Sequence, residues 1–138
     1  MYAIRMRDSA SYLFLVLAHL LAIPQCRAQH MNAADSPCNK PGTTVDDANC
    51  FSAAYKQSDI ALNAEYLRVQ TVLSSSELEK LKIAQRIWIQ YRDANCNAEY
   101  ELYRGGSAGP TVKLACLEAV TRHRTEELKQ MFEWRLEK

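Results

Sequence analysis

The chain has 138 residues, 48% of them hydrophobic, and its 17 basic and 16 acidic residues give a formal net charge of +1. This length suits a single domain with one hydrophobic core. Because neither sign of charge dominates, the composition does not favour nucleic-acid binding, and we expect no nucleic-acid partner.

The first 28 residues have the features of a secretory signal peptide. Arg5 and Arg7 precede an apolar run at residues 12–23, and the small residue Ala28 ends the segment. The apolar run is too short to span a bilayer comfortably. We therefore expect cleavage after Ala28, and residues 29–138 would form a periplasmic or secreted domain without a transmembrane segment.

The cysteines support export. Cleavage after Ala28 would remove Cys26 and leave an even number, as is typical of a small exported domain with two disulfides. The remaining cysteines are Cys38, Cys50, Cys96 and Cys116. Lipidation of Cys26 is a less favoured alternative, because Gln25 is bulky where a lipobox has a small residue. Zinc binding is a further alternative, but no C-x-x-C pair is present, so we expect neither a metal nor another cofactor.

Hydrophobic periodicity predicts an all-α fold, a small antiparallel bundle of three main helices stapled by two disulfides. The first helix begins near Thr44, with Thr43 or Thr44 as its cap and two aspartates in its first turn. The second runs from about Ser76 to Tyr103. Its start has two candidate capping boxes, Ser74 with Glu77 and Ser76 with Glu79. The third helix is predicted over residues 111–136.

Apolar residues predict the buried face of the second helix. Leu81 and Trp88 mark its centre, and we expect Ile83, Ile87 and Ile89 to widen it. Three glycines and a proline at residues 104–110 then predict a turn.

The turn at residues 104–110 favours one disulfide pairing. Measured along the helices on either side of it, Cys96 and Cys116 lie at roughly 12 and 9 Å. An antiparallel pair of helices could therefore bring these two cysteines together, which leaves Cys38 to pair with Cys50. The sequence alone still allows three pairings.

Polar residues interrupt the apolar stripes of all three helices. They are Asp59, Asn63, Gln85, Arg92 and Arg124, beside the aromatic Trp88. A planar guanidinium can bind a carboxylate through two hydrogen bonds. We therefore expect Asp59 to accept hydrogen bonds from Arg92, Arg124 or both, and Gln85 and Asn63 to complete a structural polar core. We expect no catalytic residues in this set.

These residues form part of a longer pattern that resembles a known family. The pattern comprises Cys38, Cys50, Tyr55-x-x-x-Asp59-x-x-Leu62-Asn63-x-x-Tyr66, Ala84-Gln85-x-x-Trp88-x-x-Tyr91-Arg92-Asp93-x-x-Cys96, Gly105-Gly106-Ser107 and Cys116-Leu117-x-x-x-Thr121-x-x-Arg124-x-x-x-Leu128. Over residues 38–128 it is similar to the LprI-type lysozyme-inhibitor domain of bacterial exported proteins. The resemblance implies a small helical, disulfide-linked domain of the cell envelope.

Two functions follow as hypotheses from this resemblance. The first is a non-catalytic inhibitor that binds lysozyme or a related peptidoglycan hydrolase. The second is an envelope interaction or immunity-type module that binds another exported protein or a toxin. In either case the glycine-rich loop, with Gly105, Gly106 and Ser107, is the candidate contact surface, because exposed loops often carry binding residues.

Overall fold

A computed structural model describes residues 30–40 and 42–138. The predicted signal peptide, its cleavage point and the alternative lipidation at Cys26 lie outside the described residues. Three long helices dominate: α1 (Thr44–Gln70), α2 (Ser75–Glu101) and α3 (Gly109–Leu136), preceded by a short 3-10 helix at His30–Asn32. Residues 30–40 and 42–138 contain no strand, and the predicted all-α fold is confirmed.

Capping boxes fix the starts of α1 and α2. The Thr43 hydroxyl accepts a hydrogen bond from the Asp46 N–H, and the Asp46 carboxylate accepts one from the Thr43 N–H. Ser74 and Glu77 repeat this arrangement at α2. Each box satisfies backbone N–H groups that lack partners within the helix. The structure therefore selects Thr43 over Thr44, and Ser74 with Glu77 over Ser76 with Glu79.

The boundaries around the second turn differ from the prediction. Helix α2 ends at Glu101 rather than Tyr103, and α3 begins at Gly109 rather than Thr111. Pro110 lies in the first turn of α3, where a residue without an N–H is tolerated because that donor would have no partner in the helix. The connection between the two helices is thus residues 102–108.

Helix α3 is the centre of the bundle. It packs against both other helices, most extensively against α1, whereas α1 and α2 make little direct contact with each other. Leu128 of α3 lies in a core cluster with Leu62 and Val69 of α1 and Leu81 of α2. Because α1 and α2 make little contact with each other, each of them retains a large exposed face.

The predicted burial of three isoleucines on α2 is wrong. Ile83, Ile87 and Ile89 are 49%, 60% and 39% exposed. Helix α2 has little contact with α1 and meets α3 through Leu81, Trp88 and Cys96. The isoleucines point away from that contact, because they lie about 100° or more around the helix from Trp88.

Both favoured disulfides are present. Cys38 and Cys50 have an S–S distance of 2.04 Å and join the N-terminal arm to the start of α1. Cys96 and Cys116, with Cα atoms 5.5 Å apart, join α2 to α3. Since the four sulfurs are bonded in two pairs, they do not offer the thiolates that a zinc site would need.

Among the described residues, no helix combines the length and the apolar character needed to cross a membrane.

Candidate functional site

The α2–α3 loop, residues 102–108, projects from one end of the bundle. Leu102 is 79% exposed, and the Arg104 side chain is 74% exposed. Gly105, Gly106 and Ser107 are also exposed. The loop thus presents an apolar side chain, a cation and a hydroxyl within a few residues, which is a suitable set for protein contact.

Local contacts support the conformation of this loop. The Gly106 N–H donates to the Tyr103 carbonyl at 3.0 Å. Gly105 has a φ of 84°, in the left-handed region that glycine adopts without steric cost. A Cβ on Gly109 would lie 2.9 Å from the Tyr100 ring, so glycine there allows the ring to pack closely on α3. Together with the nearby disulfide, these contacts favour the observed conformation of the α2–α3 loop.

The cation in the α2–α3 loop, Arg104, forms an ion pair with the last residue of α2. Arg104 pairs with Glu101 at 2.5 Å. The hydrogen bond that Arg104 donates to Glu101 raises the pKa of Arg104, and the guanidinium stays charged. Because both side chains are largely solvated, the pair contributes little to stability. Arg104 can therefore exchange Glu101 for a carboxylate on a partner.

The predicted polar core is centred on Trp88 rather than on Asp59. The guanidinium carbons of Arg92 and Arg124 lie 5.3 and 5.9 Å from the Trp88 ring centroid. Arg124 is buried, and its Nε donates to Gln85 Oε1 at 3.2 Å. The structure therefore brings Gln85, Trp88, Arg92 and Arg124 together. The Arg92–Trp88 contact lies within α2, whereas the cation–π contact and the hydrogen bond of Arg124 connect α3 to α2.

The expected pairing of Asp59 with an arginine is wrong. Asp59 is half-buried on α1 and accepts a hydrogen bond from the amide of exposed Asn63 at 3.2 Å. Arg92 pairs with the adjacent Asp93, and Arg124 pairs with Glu127 one turn along α3. These local carboxylates satisfy the arginines, and the small contact between α1 and α2 keeps Asp59 apart from Arg92.

Sequence reasoning missed three buried glutamates. Glu65, Glu99 and Glu118 are at most 7% exposed. Their signal was present, since Glu65 follows Leu62 and precedes Val69 at core spacing on α1. Acidic residues are seldom fully buried unless paired, so their residue type favoured a surface position despite the spacing.

Each buried glutamate has a partner. Glu65 binds Arg68 at 2.8 Å. Glu118 accepts hydrogen bonds from Ser58 on α1 and from Arg122, at 3.0 and 2.8 Å. These contacts satisfy the charges, and the hydrogen bond from Ser58 to Glu118 links α1 to α3.

Glu99 ties the N-terminal arm to α2. Its carboxylate lies 2.7 Å from His30 Nδ1 and accepts a hydrogen bond from the His30 N–H at 3.3 Å. The Cys116 sulfur lies near both side chains, but it is bonded to Cys96. The group thus offers at most two ordinary metal ligands and is better described as an anchor for the arm.

Comparison with known proteins identifies the family. A model of the family described as "Lysozyme inhibitor LprI" matches residues 34–128. The chain belongs to the LprI family. It is also 33% identical, over 131 residues, to an uncharacterised protein of Rhizobium meliloti (strain 1021), with 84% of this chain and 94% of that protein covered. No solved structure matches the chain.

On α3 the residues of the LprI-like pattern are largely internal. Cys116, Thr121, Arg124 and Leu128 are all buried. Their side chains form the disulfide, the Trp88 contacts and the core, so this part of the pattern specifies the fold. The exposed part of the LprI-like pattern at Gly105, Gly106 and Ser107 is available for binding.

Proposed function

We propose that this LprI-family protein is an exported, non-catalytic domain that binds and inhibits a lysozyme or a related peptidoglycan hydrolase. The observation that carries the proposal is the match of residues 34–128 to a family described as a lysozyme inhibitor. Export rests on the predicted signal peptide, residues 1–28. The mass of the protein recovered from the periplasm or the medium would test cleavage after Ala28.

The buried acidic groups support a binding role. A general acid or base must reach the proton that it transfers. Glu65, Glu99 and Glu118 are instead enclosed and held by Arg68, His30 and Arg122. We therefore assign these carboxylates to the fold, and we assign binding to the exposed α2–α3 loop.

The chemistry of the α2–α3 loop suits the cleft of a glycosidase. Most glycosidases carry two carboxyl groups on either side of the bond that they cleave. Arg104 could donate hydrogen bonds to such a carboxylate, and the Ser107 hydroxyl could add another. The exposed Leu102 would supply apolar contact at the edge of the cleft. A loop that is already ordered loses less conformational entropy when it binds.

Long-range electrostatics contributes little to this proposal. Basic and acidic residues nearly balance over the whole chain. Attraction between opposite net charges raises the rate of association, and this domain has little net charge to offer. The specificity would therefore come from short-range contacts made by the α2–α3 loop.

The experiment measures cell-wall lysis by several lysozymes and peptidoglycan hydrolases in the presence of purified residues 29–138. We expect saturable inhibition of at least one enzyme near equimolar ratio. Arg104→Glu should weaken that inhibition about tenfold or more, because it places like charges together. Arg86→Glu is the matched control, since Arg86 is exposed on α2 away from the loop.

Absence of inhibition at micromolar excess over every enzyme would contradict the hydrolase proposal. It would leave the alternative of an envelope interaction or immunity-type module that binds another exported protein or toxin. A toxin gene beside the coding sequence would then direct the search for that partner.

A further inference from the structure

Helix α2 carries an apolar face that nothing in the described structure covers. We name it the α2 stripe and define it by its residues: Ile83, Ala84, Ile87, Tyr91, Ala94 and Ala98, all exposed. The stripe follows helical spacing and lies beside the face that packs on α3. Contiguous exposed apolar surface of this kind often marks an interaction site.

The stripe is ordered by size along the helix. The large residues Ile83 and Ile87 lie towards the start of α2, and the small residues Ala94 and Ala98 lie towards its end. Tyr91, which is 59% exposed, lies between them. Two such stripes running in opposite directions would place each of these isoleucines opposite an alanine, with Tyr91 near the centre of the contact.

The charged residues at the two ends of the α2 stripe also favour an antiparallel arrangement. Lys80 precedes the stripe and is exposed, and no described residue forms an ion pair with it. Glu101 follows the stripe and is about half exposed, with Arg104 as its partner. An antiparallel copy would bring Lys80 towards Glu101 of the second copy at both ends, whereas a parallel copy would oppose like charges.

We propose that the α2 stripe binds the α2 stripe of a second copy of this chain in an antiparallel, two-fold symmetric dimer. The two-fold axis passes between Gln90 and Tyr91. Ile83 then lies opposite Ala98 of the second copy, and Ile87 lies opposite Ala94 of the second copy. The contact extends from Lys80 to Glu101 of α2, about 32 Å at the usual helical rise.

The proposed interface is isologous, because both copies use the same surface. The alanines allow the two helix backbones to approach closely, and the isoleucines fill the space above them. The two α2–α3 loops lie at opposite ends of such a dimer. Each loop extends beyond the stripe, so dimerisation and the proposed inhibition use different residues.

A charge exchange tests both the surface and its direction. Sedimentation velocity from about 10 µM to about 1 mM should show a monomer–dimer equilibrium for the wild type. Lys80→Glu and Glu101→Lys should each weaken self-association about tenfold, because like charges then meet at both ends. An equimolar mixture of the two variants should restore dimers, since opposite charges face each other again at both ends.

Two further variants separate the stripe from general surface effects. Ile87→Asp should abolish the dimer, whereas Ile60→Asp, an equally apolar and exposed position on α1, should leave it intact. Circular dichroism would establish that both variants remain folded. The proposal is overturned if the wild type stays monomeric throughout this concentration range. It is equally overturned if the mixed charge variants fail to associate, or if Ile87→Asp affects hydrolase binding but not self-association.

Discussion

Arg135 near the end of α3 donates hydrogen bonds to both carboxylate oxygens of Glu77, at 2.6 and 3.0 Å, in the first turn of α2. Arg135 also donates to the Val72 carbonyl in the preceding turn, at 3.1 Å. The same Glu77 completes the capping box with Ser74. The Glu77 carboxylate thus caps the start of α2 and also binds the end of α3.

This relationship predicts a loss of stability in acid. The hydrogen bonds from Arg135 and then Ser74 lower the pKa of Glu77 from 4.5 to about 2. A carboxyl group with a lowered pKa in the folded state stabilises the fold above its unfolded pKa, and that contribution disappears as the pH falls through the folded pKa. We expect the thermal midpoint of the wild type to fall between pH 4.5 and 2.

Glu77→Gln should reduce this pH dependence and lower the midpoint at neutral pH. Glu133→Gln, at an exposed position on α3, should follow the wild-type curve. Some slope should remain in Glu77→Gln, because Arg122 and then His123 lower the pKa of Asp35 to about 2 as well. Identical pH profiles for Glu77→Gln and the wild type would contradict the assignment.

The Trp88 cluster predicts an order of stability among three alanine variants. Arg124 is 8% exposed, lies against Trp88 and bonds Gln85, so Arg124→Ala should cost about 2 kcal/mol. Arg92→Ala should cost about 1 kcal/mol, mainly from its contact with Trp88. Asp59→Ala should change stability by no more than about 0.5 kcal/mol. Urea denaturation checks this order. A larger loss of stability in Asp59→Ala than in Arg124→Ala would contradict the Trp88-centred cluster and support a network centred on Asp59.

Local features of this fold were predictable from the sequence, whereas the contacts of the Trp88 cluster between helices were not. Capping boxes are local, so Ser74 with Glu77 was one of two candidates identified from a few residues. The Cys96–Cys116 pairing followed from helix rise on either side of a glycine-rich turn. By contrast, the partner of Arg92 depends on which helices touch, and periodicity does not contain that information.

The isoleucines of α2 illustrate the same limit. Helix α2 carries two neighbouring apolar stripes, one containing Trp88 and the other containing Ile83 and Ile87. Periodicity identifies both of them as apolar faces. Helix α3 covers only the first, and α1 does not pack along α2 to cover the second. The sequence therefore predicts one wide buried face that includes Ile83 and Ile87, because periodicity does not show which helices touch.

Glu118 provides a third prediction, for a buried charge that the sequence did not reveal. Its side chain is 3% exposed and pairs with Arg122, and it also accepts a hydrogen bond from buried Ser58. Glu118→Ala should cost about 2–3 kcal/mol, since it leaves Ser58 without its acceptor and removes a charged hydrogen bond. Glu126→Ala is the control, because Glu126 pairs with Lys129 on the surface and should cost under about 1 kcal/mol. Equal losses in urea denaturation would show that burial of Glu118 has no energetic consequence.

The two disulfides predict separable effects on stability and on the α2–α3 loop. Joint replacement of Cys96 and Cys116 by serine, or of Cys38 and Cys50, should cost about 3 kcal/mol in either case, because the closed loops have similar lengths. Only the first change releases α2 from α3 beside the loop.

Hydrogen exchange of the Gly106 N–H, which bonds Tyr103, should therefore accelerate in the Cys96/Cys116 variant beyond what the shared loss of global stability explains. Inhibition of a sensitive hydrolase should weaken in that variant alone at a temperature where both are folded, because a looser loop loses more entropy on binding. Equal Gly106 exchange and equal inhibition in the two variants would show that the Cys96–Cys116 disulfide stabilises the domain without preorganising its loop.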